Sequence, residues 1–285
     1  MNKFRFILAY IVLFIGVFLI TSAGSYMYCY IHSTNETEES FDEVRDLVQE
    51  IEIPKDEMND YEGNKLELKP HNDYSELYEQ NNDFIGWLKI DGTSIDYPVM
   101  LTPDNEEYYL HRNFQKQYDY NGTPFCEAEV DIVRPSNNIT IYGHHIKGGI
   151  MFHSLDNYKK EEFYQEHKLI TFDTIYRWST YEVVAVYLTD VNPGSFEYWN
   201  VKDCTEEEFY EYVDFFSRKA LYKTDLIDSV EYGDKLISLS TCAYHTTNGR
   251  LVVVAKMIES EETELYKSLD LENGGLEDSE NETNE

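Results

Sequence analysis

The segment KLISLSTCAYHTTNGRLVVVAKMI carries the residues best suited to covalent chemistry. Cys242 ends an apolar run that reads as a strand, a polar loop follows, and Arg250 opens a second apolar run. A cysteine at a strand end is held on a rigid element, and an arginine entering the next strand returns beside it if the two pair. A second segment, NNITIYGHHIKGG, puts Tyr142, Gly143, His144 and His145 at the end of another β-rich run. Thiol chemistry needs a group that takes and returns a proton near neutral pH, which imidazole does without special tuning. A guanidinium supplies positive charge where an attacked carbonyl oxygen turns negative. Each residue alone has a plainer reading, a small buried hydrophobe for the cysteine and a structural role for the histidine. Together they outline a nucleophile, an acid/base and an oxyanion stabiliser.

The elements that must hold these residues read as mainly β with peripheral helices. Short apolar runs bounded by turn residues lie at 85–90, 95–100, 138–142, 169–172, 181–188, 235–240 and 251–258, a spacing that suggests a barrel or a sandwich. One helical window interrupts them, from Thr205 to Leu221, with Phe209, Tyr212, Val213, Phe216 and Ala220 along one face. A turn or two of helix is expected around Tyr74 to Asn81.

Upstream, no charged residue occurs from Phe6 to Ile31, a run longer than the roughly 20 residues that cross a hydrocarbon layer as a helix. Lys3 and Arg5 precede it and acidic residues follow, so the N-terminus is expected in the cytoplasm and the rest outside, single-pass in the cell membrane. The small residues Thr21, Ser22, Ala23 and Gly24 leave cleavage as a secretory signal open. The expected layout is a cytoplasmic end at 1–5, a signal-anchor at 6–31, an acidic connector at 32–66, a catalytic domain at 67–260 and an acidic, disordered tail at 261–285. In the connector, Phe41, Val44, Leu47, Val48 and Ile51 recur at helical spacing until Pro54, predicting a short amphipathic helix. The net charge of -32, from 55 acidic and 23 basic residues, would repel nucleic acid, and no basic patch offsets it. Four cysteines without a CxxC pair do not read as a disulfide framework.

LSTC followed by an arginine entering VVVA, with YGHH upstream, resembles the sortases, specifically class B. GWLKIDGTSIDYPVM, DNEEYYLHRNF and MFHSLDNY extend the likeness over about residues 75–258. The resemblance implies an eight-stranded β-barrel with added helices and no cofactor or metal. It implies a cysteine transpeptidase of Gram-positive cell walls that cuts a C-terminal sorting signal of a surface protein and passes the acyl end to a cross-bridge amine, or to a pilin lysine. Carried over by motif, Cys242 is the nucleophile, His144 the acid/base and Arg250 the oxyanion partner, with substrate contacts at Tyr142, Ser240, Leu110 and Asn105. Where relatives read FMDYRN this chain has FCEAEVD, which puts Cys126 in a bordering strand, expected as a buried small residue. Three rivals stay open: a zinc site drawing on His144, His145, Cys242 and His245, a non-catalytic surface-binding protein, and a hydrolytic cysteine protease sharing the acyl-enzyme step.

Overall fold

Alternating burial along the middle of the chain closes into a barrel in the computed structural model, which describes residues 2–51, 71–263 and 266–267. A small antiparallel pair comes first, β1 (Gln49–Ile51) with β2 (His71–Asp73). Then follow β3 (Phe84–Lys89), β4 (Asp96–Met100), β5 (Phe125–Cys126), β6 (Asn138–Tyr142), β7 (Leu169–Thr174), β8 (Arg177–Asp190), β9 (Leu236–Cys242) and β10 (Gly249–Glu262). These eight close in the order β10-β8-β7-β3-β4-β5-β6-β9, the eight-stranded barrel that the resemblance implies. Most strands sit within a residue or two of the apolar runs that predict them. β8 and β10 are longer, because they pair with each other from Gly249 opposite Asp190 to Glu262 opposite Arg177. Ladder hydrogen bonds thus carry Ser179, Glu259 and Ser260 into strands that their polarity would not announce.

The helices are α1 (Asn2–Arg45), α2 (Ser75–Gln80), α3 (Glu161–Glu166) and α4 (Glu206–Lys219). The MFHSLDNY stretch starts a 3-10 helix, Phe152–Lys159. Period two gives each strand two destinations. Ile237, Leu239, Leu251 and Val253 point into the barrel and join Phe172 and Val183 in its core. Leu236, Val252 and Val254 point outward and are covered by α4, through Phe209, Tyr212 and Phe216. That helix starts on a capping box between Thr205 and Glu208, and it places Glu206 and Glu207 at its positive end and Arg218 and Lys219 at its negative end.

α1 is continuous from the apolar run into the connector, so no break separates the first helix from the amphipathic one the spacing predicts. Its first part exposes Phe6, Ile11, Phe14 and Phe18 and is long and apolar enough to cross a membrane. Its last turns dock on the barrel. Phe41 is buried with its ring 4.7 Å from that of Tyr97, Val44 is buried, and the Thr37 hydroxyl donates to the Asp119 carboxylate at 2.7 Å. The helix stops at Arg45 rather than running to Ile51, because pairing with β2 claims Gln49–Ile51. The tail expected from 261 starts later, since Glu261 and Glu262 extend β10 opposite Trp178 and Arg177. The predicted end of the connector around Pro54 and the residues from 268 on lie outside the described residues.

Phe41 is a fully buried apolar tie between α1 and the barrel. Phe41→Ala is expected to lower the unfolding free energy by about 3 kcal/mol in chemical denaturation, the usual cost of emptying a fully packed aromatic site.

Candidate active site

Three strand ends bring the predicted chemistry together. β6 runs parallel to β9 with Tyr142 opposite Ser240, so the same register two residues on sets His144 beside Cys242. The contact continues past the strands, as the Gly143 N–H donates to the Ser240 carbonyl at 3.2 Å and the Thr241 hydroxyl to the Gly143 carbonyl at 2.8 Å. β10 runs antiparallel to β9 with Arg250 directly opposite Cys242. Opposed residues of an antiparallel pair share a face, with Cα atoms about 4.5–5.5 Å apart. Two glycines make this crowding possible. A Cβ on Gly143 would lie 2.6 Å from the Phe152 ring, and one on Gly249 would lie 2.2 Å from the Ala243 carbonyl oxygen.

Cys242, His144 and Arg250 open onto one groove, together with Tyr142, Ser240 and Leu110. Asn105 does not line it: that residue is exposed before the 3-10 helix Glu106–His111, and Glu106 and Glu107 reach the groove instead. The His144 Nε2 lies 2.9 Å from the Leu110 carbonyl. A carbonyl only accepts, so Nε2 carries the proton and Nδ1 is the free nitrogen. Burial holds this imidazole below its ordinary 6.5, against the pull of the Leu110 bond. His145 turns away, with Nε2 3.0 Å from Asp156. The Arg250 guanidinium donates to the Gly249 carbonyl at 3.0 Å. Among the described residues it forms no ion pair with a carboxylate, so its charge is available to the groove. Nor, among those residues, do three His, Cys, Asp or Glu side chains converge there as a metal site would require.

The family model for the Sortase domain matches residues 88–258. Sortase B of Staphylococcus aureus is 32% identical over 188 residues, which cover 65% of this chain and 75% of that protein. The chain belongs to the sortase family. The solved Staphylococcus aureus sortase B-substrate complex superposes with a TM-score of 0.60 at 31% identity, over 65% of this chain and 84% of that one. A sortase B complexed with triglycine superposes with a TM-score of 0.59 at 32% identity, over 65% and 85%. By this family membership the chain is a cysteine transpeptidase.

Other groove residues of this sortase carry no mark in the sequence. Tyr198, from the loop before α4, puts its hydroxyl 2.7 Å from the Ser240 Oγ, and Trp199 lies beside it on the groove. Below them Tyr212 meets Ser238 at 2.7 Å, and Ser238 donates to Asn138 at 2.8 Å. The groove floor thus rests on paired hydroxyls that satisfy one another while excluding water. Glu127 is 5% exposed, lines the groove and accepts a hydrogen bond from the Tyr142 hydroxyl. Burial pushes its carboxyl up to about 8, with Tyr142 and Lys202 opposing and Glu106 reinforcing. The signal for it is the departure at FCEAEVD, where the sequence draws attention to Cys126 instead. That thiol points into the barrel core, fully buried and pushed well above the usual thiol range by burial.

Glu127 titrates near 4.5 when unfolded and at about 8 when folded. The folded state therefore holds the extra proton in that window, and stability falls as pH rises through it. Glu127→Gln, which cannot titrate, is expected to gain thermal stability relative to the parent between about pH 5 and pH 8. A difference that stays constant across the range contradicts the assignment.

Proposed function

We propose that this sortase is anchored in the membrane by its N-terminal helix and cleaves a sorting-signal peptide through a Cys242 thioester, transferring the acyl part to an amine of the cell wall. The observation that carries this reading is the pairing of Cys242 opposite Arg250, with His144, two residues past the end of β6, on the same groove. His144 Nδ1 takes the Cys242 proton, and the thiolate attacks the scissile carbonyl. Negative charge gathers on the carbonyl oxygen beside the Arg250 guanidinium, which is worth most while the developing charge is held away from water. His144 returns its proton to the departing amine as the C–N bond breaks, leaving the thioester. An incoming amine then attacks, gives its proton to His144 and expels the Cys242 thiolate.

In this reading Tyr142, Ser240 and Leu110 contact the sorting peptide. In this layout the catalytic domain, begun at 67 and carried by β10 to Glu262, lies outside the membrane, 6–31 span it, 32–66 connect the two, and 1–5 remain in the cytoplasm. The positive residues before the apolar run and the acidic ones after it support that orientation. The solved sortase B with a substrate and the one with triglycine support a peptide donor and an amine acceptor.

The test is a sorting-peptide library incubated with the chain, with and without candidate amines. Cleavage is expected to vanish in Cys242→Ala while the fold persists. Arg250→Ala is expected to lower kcat by about 100-fold or more, the usual loss for removing an oxyanion partner. Added amine should divert product from acid to amide. Products that remain acids with every amine would make the chain a hydrolytic protease, and unchanged cleavage by Cys242→Ala would remove the thiol mechanism altogether. An amide formed only with a lysine side chain would point to pilin polymerisation.

A further inference from the structure

His144 is gripped by one segment, 110–121, and that segment is in turn gripped by α1. The Leu110 carbonyl accepts a hydrogen bond from the Nε2–H at 2.9 Å, and the next residue, His111, stacks its ring on that of His144, with centroids 5.4 Å apart and planes at 21°. His111 is fixed in that pose. Its Nδ1 donates to the Tyr120 carbonyl at 3.0 Å, and its ring also stacks on the Tyr120 ring at 5.8 Å and 20°. Asp119, next to Tyr120, accepts from the Asn121 N–H at 2.8 Å and from the Thr37 hydroxyl of α1 at 2.7 Å. Asn121 donates back to Thr37 at 2.9 Å, so helix and loop are locked by a closed set of hydrogen bonds.

Two opposed influences therefore reach His144 from this one segment. A second imidazole in contact opposes a cation on the first, since two stacked rings ionise together only at a cost. The Asp119 N–H donates to the His111 carbonyl at 3.2 Å, so its carboxylate is fixed beside the residue stacked on His144, and a fixed carboxylate favours that cation. Burial is the largest influence on His144 and lowers its proton affinity, the Leu110 bond raises it, His111 lowers it and Asp119 raises it.

We propose that His111 and Asp119 are positioning residues that set the proton affinity of His144 in opposite directions, and that α1 takes part because Thr37 holds Asp119. Its catalytic meaning rests on the role given to His144 above, whereas the tuning itself does not. The remaining titratable groups around the site are Cys242, Arg250 and Tyr142 on the barrel, Glu127 just past β5, and Glu106 and Glu107 on the 3-10 helix. Glu36, Glu39 and Glu43 of α1 line the outer side of the 113–120 stretch. All of these stay in place in the variants that follow, so differences between variants isolate His111 and Asp119.

The experiment is an NMR titration of the full chain in detergent micelles with isotope-labelled histidine, the His144 signal being assigned by its loss in His144→Gln. His111→Phe keeps a ring in the stack without its charge, and the His144 midpoint is expected to rise by about 0.5 pH unit or more. Asp119→Asn is expected to lower it by a similar amount, and Thr37→Val to lower it less. Mere loosening of the segment would relieve burial and move every variant upward, toward the ordinary value. A rise in Asp119→Asn, or no movement in either His111→Phe or Asp119→Asn, overturns the proposal. The pH–rate profile of peptide cleavage, measured alongside, separates the two readings. If the midpoints move as stated and the profile does not follow, the tuning stands and the catalytic role of His144 falls.

Discussion

The register of β9 is the constraint on which the site depends. One strand is paired on both sides, parallel to β6 and antiparallel to β10, and the two registers together decide which residues meet at its end. Because side chains alternate at period two, a slip of one residue against either neighbour would turn Cys242 toward the core and leave Arg250 or His144 alone on the groove. The core specifies the register strongly, since Ile237 and Leu239 are fully enclosed on one face while Leu236 packs against the other. The same apolar alternation that stabilises the barrel therefore positions the nucleophile.

Around this point the molecule arranges polarity with economy. On the outer face of β9 and β6, Ser238, Ser240 and Asn138 are buried yet each has a hydroxyl or amide partner. This gives the groove a rigid floor without isolated polar atoms, which a buried site tolerates poorly. The groove wall at Glu127 differs in kind. A carboxyl there is kept protonated near neutral pH by burial, so the wall presents a neutral hydrogen-bonding group beside the exposed carboxylates of Glu106 and Glu107. The FCEAEVD stretch thus brings a titratable carboxyl to the groove wall.

What can be read from the sequence follows the physics of each feature. Cys242 and Arg250 are legible as a pair because each terminates an apolar run, and hairpin pairing then has few ways to place them. His144 is legible by the same logic and is distinguished from His145 through the family motif. The barrel strands are legible where apolar residues alternate or cluster. The polar extensions of β8 and β10, and the switch from helix to strand after Arg45, are not, because pairing partners distant in sequence determine them. Tyr198 and Glu127 escape a local reading for a related reason. Nothing nearby marks the tyrosine in NPGSFEYWN as facing the groove, and the departure at FCEAEVD draws attention to its cysteine rather than its glutamate. Their positions come from packing against β9 and from the Tyr142 hydroxyl. The Thr37–Asp119–His111 chain is also beyond local reading, because it joins a helix to a loop across the fold.

The central claim is that peptide cleavage passes through a thioester on Cys242. Mass spectrometry of the full chain mixed with a cleaved sorting peptide in the absence of amine tests it most directly. The account predicts the acyl fragment on the proteolytic peptide that contains Cys242, and its disappearance when triglycine is added as the amide product forms. Cleavage products without any adduct, or an adduct on Ser240 or Cys204 instead, would contradict it.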